Sequence, residues 1–193
     1  MKQLKATGMF QRVKAKVVSN DNEDLLWTGG LLGDHNPKAL LDTMVYYIGL
    51  YFAIRGGEHR KIRHSPSQLC LYEPEGQKPY IVYSEDVSKT NQGGLLHRKK
   101  SPKQVVHHAN LETPQRCLIR LYKLYNSYCP NDRPDKAFYL KPLEKPRKDC
   151  WYTKIPIGHN VLSRVVSKMC EEAKYIGSLH KPLTKSYSSN PHV

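Results

Sequence analysis

The residues best suited to chemistry are an arginine and a lysine able to neutralise a phosphate. Arg55 opens the run Arg55-Gly56-Gly57-Glu58-His59-Arg60, directly after an apolar helical stretch. A guanidinium there presents a planar fork to two phosphate oxygens, and the two glycines let the backbone come close to a ligand. Glu58 can accept from Arg55 or its neighbours and hold that geometry. Lys89 lies in Ser88-Lys89-Thr90-Asn91-Gln92-Gly93-Gly94, a turn-rich stretch between two β-prone runs. A lysine on a hairpin can reach a phosphate or protonate a leaving oxygen. Taken singly, each motif also fits an ordinary surface cation. Two other constellations carry less. His107-His108 with Cys117 matches no common metal-ligand spacing, and places on a strand and a helix account for all three. Tyr122, Tyr125 and Tyr128 recur along one helix and read as half-buried packing rather than as base-stacking platforms. No metal and no cofactor is expected.

Composition narrows the partner. The 193 residues suit one domain, and apolar residues make up 39% of them in separated clusters, enough for a core. Lys and Arg number 31 against 17 Asp and Glu, a formal net charge of +14. Such an excess draws polyanions. Nucleic acid is favoured over an anionic membrane, because no basic amphipathic helix or lipidation motif is present. The charge is uneven: residues 97–154 hold 14 Lys and Arg and 5 Asp and Glu, a net of +9. The five cysteines form no C-x-x-C pair, which argues against a disulfide framework or zinc finger. No signal peptide and no membrane span is legible; residues 44–54 are the longest apolar stretch. A reducing compartment, cytosol or nucleus, follows.

The elements that must position these residues are legible in outline. Residues 1–18 form a basic N-terminal segment. Asn20-x-x-Glu23 predicts a capping box before a short helix through Leu25, Leu26 and Trp27. Asn36-Pro37 opens a stronger helix carrying Leu40, Leu41, Met44, Val45, Ile48 and Phe52, predicted to end at Arg55-Gly56-Gly57 with a left-handed glycine cap. Runs at 68–72, 80–83 and 103–107 predict a three-stranded antiparallel sheet. Thr113-Pro114 caps the next helix. Residues 130–150 hold four prolines and predict a loop with a short β piece at 137–140. Asn160 caps a last helix bearing Leu162, Val165, Val166, Met169, Cys170 and Ala173, and residues 178–193 read as a disordered polar tail.

In this order, R-G-G-E-H-R and S-K-T-N-Q-G-G resemble the catalytic domain of tyrosine recombinases. The segments at 25–60, 136–142 (KAFYLKP) and 151–173 fit the same plan. The likeness is greatest to the Crypton type of mobile element and its domesticated relatives, including the C-terminal domain of zinc finger MYM-type proteins, and it extends over about residues 4–177. The resemblance implies an α+β fold, mainly helical, with a small three-stranded antiparallel sheet, spanning residues 19–177 and truncated at its C-terminus. It also implies metal-free cleavage of DNA by a tyrosine, with two arginines and a histidine stabilising the phosphorane-like transition state and a hairpin lysine protonating the leaving oxygen. Arg55 would be the first arginine, Lys89 the lysine and Glu58 the supporting acid.

The chain departs from that plan. It has no His-x-x-Arg: Leu162 stands third after His159 and Leu183 third after His180. Tyr175 and Tyr187 come too early to be the nucleophile. The set Arg55 and Lys89 is therefore an incomplete remnant, and no strand cleavage is expected. The reading is a non-catalytic, recombinase-derived module that holds duplex DNA, in the nucleus, with Arg55, His59, Lys89, Arg98, Lys99 and Lys100 as contacts. The alternatives are an interaction or scaffold domain of a transcription- or chromatin-associated protein, and an inactive fragment of a mobile element. The resemblance also implies helices that would pack on the last one. Without them, the face at Leu162 and Val165 is expected to be exposed and to need a protein partner, leaving a marginal fold that melts below about 65 °C.

Overall fold

The computed structural model describes residues 20–54, 58–59, 62, 68–84, 104–132 and 137–173. The segments 1–18 and 178–193 lie outside them. Helix α1 runs Asn20–Thr28, and Glu23 accepts a hydrogen bond from the Tyr47 hydroxyl at 3.0 Å, tying α1 to the next helix. That helix, α2 (Pro37–Tyr51), sets the fold. Asn36 caps it as the sequence predicts, its side-chain oxygen accepting from the Ala39 N–H at 2.8 Å, with Pro37 at the first turn. From Pro37 to Leu50 every residue but Lys38 is buried. A helix apolar on all sides must be enclosed on all sides, and α3 (Leu118–Ser127), α5 (Val165–Glu172) and β4 (Leu140–Pro142) all pack against it.

The end of α2 differs from the expectation. The helix stops at Tyr51, before the glycines, and Ala53 takes the left-handed conformation with φ 54°. The Ile54 N–H returns to the Gly49 carbonyl at 3.1 Å, the long closing bond of a Schellman cap. Burial of Phe52 and Ile54 against the core outweighs the penalty at Ala53. Ala53→Gly should therefore stabilise the domain by about 1 kcal/mol, because only glycine takes this conformation freely. A rise in melting temperature of a few degrees checks this, and an unchanged or lower one would contradict the cap.

Strands β1 (Leu69–Tyr72), β2 (Tyr80–Ser84) and β3 (Gln104–His108) form the expected antiparallel sheet, in the order β1-β2-β3. Leu69 pairs with Tyr83, and Tyr83 with Val105. One face, with Leu69, Leu71, Ile81, Tyr83 and Val105, joins the core. The architecture is α+β.

A second sheet was not legible as one. Strand β4 pairs antiparallel with β5 (Tyr152–Pro156), with a register shift between Leu140 and Pro142. Each of these short strands ends on a proline, which hides its alternation. The C-terminal helix is also broken: α4 (His159–Leu162) starts after Gly158, not at Asn160, and a turn at Ser163 and Arg164 precedes α5. The expected exposed face is corrected here. Leu162, Val165 and Met169 are buried in the common core, with α5 on α2, so they need no outside partner to leave water. Among the described residues no helix is long and apolar enough to cross a membrane.

Candidate nucleic-acid interface

Arg55, Lys89, Arg98, Lys99 and Lys100 lie outside the described residues. Their neighbours within the described residues are firmly held. Glu58 is exposed, while His59 beside it is only 2% exposed. The His59 Nδ1 lies 2.9 Å from the Tyr139 hydroxyl, and the ring donates to the Ile54 carbonyl. Its Nε2 rests on Gly49, where any Cβ would approach it to 3.1 Å. Burial pushes the imidazole down to about 4, against a smaller opposing pull from the Ile54 bond, so His59 is neutral at pH 7. The expectation that His59 touches DNA is corrected: a buried, neutral ring with both sides occupied cannot reach a phosphate. It is an anchor. By bonding Ile54, it holds together the two described ends of the stretch that carries Arg55.

The stretch that carries Lys89 is likewise bounded by paired residues. Ser84 at the end of β2 faces Gln104 at the start of β3. Residues 85–103 leave and rejoin the sheet between them, and their sequence holds Lys89, Arg98, Lys99, Lys100 and Lys103. His107 lies on β3 as a packing residue. Its ring stacks on Tyr51 at 3.9 Å and meets Phe52 edge-on, and its Nε2 has no hydrogen-bond partner among the described residues. Burial, with a smaller contribution from His108, pushes it down to about 4. Cys117 is buried in front of α3. No group of three His, Cys, Asp or Glu able to hold a metal ion occurs among the described residues.

On the body of the domain, four described cations are paired: Lys38 with Asp42 at 2.7 Å, Arg120 with Asp34 at 2.7 Å, Arg116 with Asp24 and Lys123 with Glu73; Lys78, Arg164 and Lys168 are exposed and form no ion pair among the described residues. On the β4–β5 hairpin, Lys141, Lys145, Arg147 and Lys148 are exposed and form no ion pair among the described residues. Only Lys154 of this hairpin is matched, with Asp132.

The hairpin is fixed at its base. The Tyr125 hydroxyl donates to the Phe138 carbonyl at 3.0 Å and accepts from the Leu140 N–H at 2.9 Å. The Tyr152 hydroxyl donates to the Pro37 carbonyl at 2.9 Å, and Trp151 stacks on Tyr128 at 3.9 Å and 3°. At the tip, the Arg147 N–H donates to the Cys150 carbonyl at 2.9 Å. The hairpin thus carries four exposed cations, with the acidic residues Glu144 and Asp149 among them. Tyr122 and Tyr125 are buried and Tyr128 is half-buried, which agrees with the packing role read from their spacing. The hairpin cations escaped the choice of site residues, although the +9 across residues 97–154 pointed at them; with the strands unseen, they read as loop charges.

The family described as a domain of unknown function, DUF3504, matches residues 17–171. The chain is 29% identical over 171 residues to zinc finger MYM-type protein 2 of Homo sapiens, covering 79% of this chain and 12% of that protein. It is 26% identical over 160 residues to transcriptional regulator QRICH1 of Mus musculus, covering 78% of this chain and 20% of that protein. With zinc finger MYM-type protein 3 of Mus musculus it shares 24% identity over 180 residues, covering 86% and 13%. The chain thus spans no more than about a fifth of the length of these curated relatives. No solved structure matches it. This chain belongs to the DUF3504 family.

Proposed function

We propose that this chain is a non-catalytic module that holds duplex DNA through its phosphates, within a nuclear, transcription-associated protein, on a fold descended from Crypton-type tyrosine recombinases. The observation that carries the reading is the set of four exposed cations on the anchored β4–β5 hairpin that form no ion pair among the described residues, in a chain of net charge +14. The names of the relatives, zinc finger proteins and a transcriptional regulator, support the nuclear setting. Arg55 and Lys89 contribute further phosphate contacts.

Fluorescence anisotropy with a labelled duplex of about 20 base pairs tests this, with wild type beside Arg55→Ala/Lys89→Ala. Binding at low salt, weakened about tenfold or more in the double variant, is the expected result. Equal binding by both would remove Arg55 and Lys89 from the interface and leave the hairpin. No binding by a folded wild-type chain would overturn the proposal in favour of an interaction domain.

A further inference from the structure

The three-stranded sheet has a second face that nothing in the described core covers. Its side chains are Cys70 and Tyr72 from β1, Tyr80, Val82 and Ser84 from β2, and Gln104, Val106 and His108 from β3. None of them belongs to the hydrophobic core or packs against it, whereas the opposite face does. Tyr72 is 46% and Val106 49% exposed. An antiparallel sheet ordinarily makes the face turned away from its core polar. Here it is not. Tyr72, Tyr80 and His108 stand opposite one another in one row across all three strands. Tyr72 stacks on Tyr80 at 5.2 Å and 16°, and His108 lies 5.3 Å beyond. Beside this row Cys70, Val82 and Val106 form an apolar floor. Gln104 donates to Ser84 at 3.3 Å in the polar row beyond it.

We propose that this face is a stacking platform for the unpaired bases of single-stranded nucleic acid. The ring row ends at both edges of the sheet, so a base can extend the stack at Tyr72 or His108 and rest its π-face on the floor. The Gln104 amide and Ser84 hydroxyl can serve base edges. Aromatic side chains on an open antiparallel sheet take bases in this way, without strong sequence preference. Charge selects the occupant. The face has no charged side chain of its own, and the net charge of +14 repels a second copy or a basic peptide and attracts a polyanion. At the rim, Lys78 is exposed and forms no ion pair among the described residues, and Lys123 neutralises Glu73, leaving Glu75 as the opposing charge in that turn. This inference rests on the nucleic-acid reading for its attraction to polyanions but uses a separate surface, so the two can fail separately.

The test is anisotropy with a labelled 15-nucleotide oligothymidine and, in parallel, the duplex, both at about 100 mM salt. Tyr72→Ala/Tyr80→Ala should weaken oligothymidine binding about tenfold or more and leave duplex binding unchanged. Tyr72→Phe/Tyr80→Phe, which keeps the rings, should stay within about twofold of wild type. Val106→Glu, which sets a carboxylate on the floor at an exposed position, should reproduce the loss even if the alanine pair misfolds. Oligothymidine binding that ignores all three changes would overturn the inference, as would its absence in a chain that still binds duplex. A folded chain that binds neither would overturn both this inference and the duplex reading.

Discussion

Lowering the pH from 7 to 4.5 is expected to remove several kcal/mol of stability, well beyond what surface ion pairs contribute. The cause is the neutral, buried His59. Its folded pKa is about 4, against about 6.5 in the unfolded chain. Between these values the unfolded state binds the extra proton, so stability falls as pH falls. The contribution is whole above about pH 6.5 and is lost progressively down to about pH 4. For His59 this amounts to roughly 3 kcal/mol. His107, also pushed down to about 4 by burial, adds loss in the same direction and the same window. A domain margin of about 5–15 kcal/mol leaves little after that. Urea unfolding at pH 7, 6, 5.5, 5 and 4.5 measures it, with His59→Gln, which does not titrate, as a control of shallower slope. Stability that is flat between pH 7 and 5 would contradict the placement of both rings.

Replacing Lys141, Lys145, Arg147 and Lys148 together by Gln is expected to lower duplex-DNA affinity on the order of a hundredfold at 0.1 M salt. Each phosphate contact releases about 0.9 of a counterion, so four account for a slope of between three and four in log K against log salt. The full effect is tempered by Glu144 and Asp149, which stand among the four cations. All four side chains are exposed and the hairpin is held by Tyr125, Tyr152 and Trp151, so the variant should keep its fold. An equal melting temperature checks that. Undiminished affinity would place the DNA elsewhere, on the surface of Arg55 and Lys89.

The parts of the fold legible in the sequence are those whose stabilising interactions are local. Asn36-Pro37 announces α2 because the cap is a bond between residues three apart. The runs read at 68–72, 80–83 and 103–107 announce their sheet because alternation and β-branched residues act within each strand. What escaped depends on distant partners. Ala53 holds a left-handed cap because Ile54 and Phe52 find a core, while Gly56 and Gly57 offered the more obvious stop. Strands β4 and β5 are short, rich in proline and held by tyrosines from α3. The covering of Leu162 and Val165 was foreshadowed by α2, whose apolar residues point all round and so require neighbours on every side. For the site, the burial of His59 was not legible, because Tyr139 lies 80 residues away. The hairpin cations were visible only as a charge excess.

The most direct test of a phosphate-holding interface is the salt dependence of duplex-DNA binding by the wild-type chain between about 50 and 200 mM. The account predicts that log K falls linearly with log salt, with a slope of about −3.5 or steeper, as four or more phosphate contacts require. A slope near zero, or no binding by a chain that melts cooperatively, would contradict it.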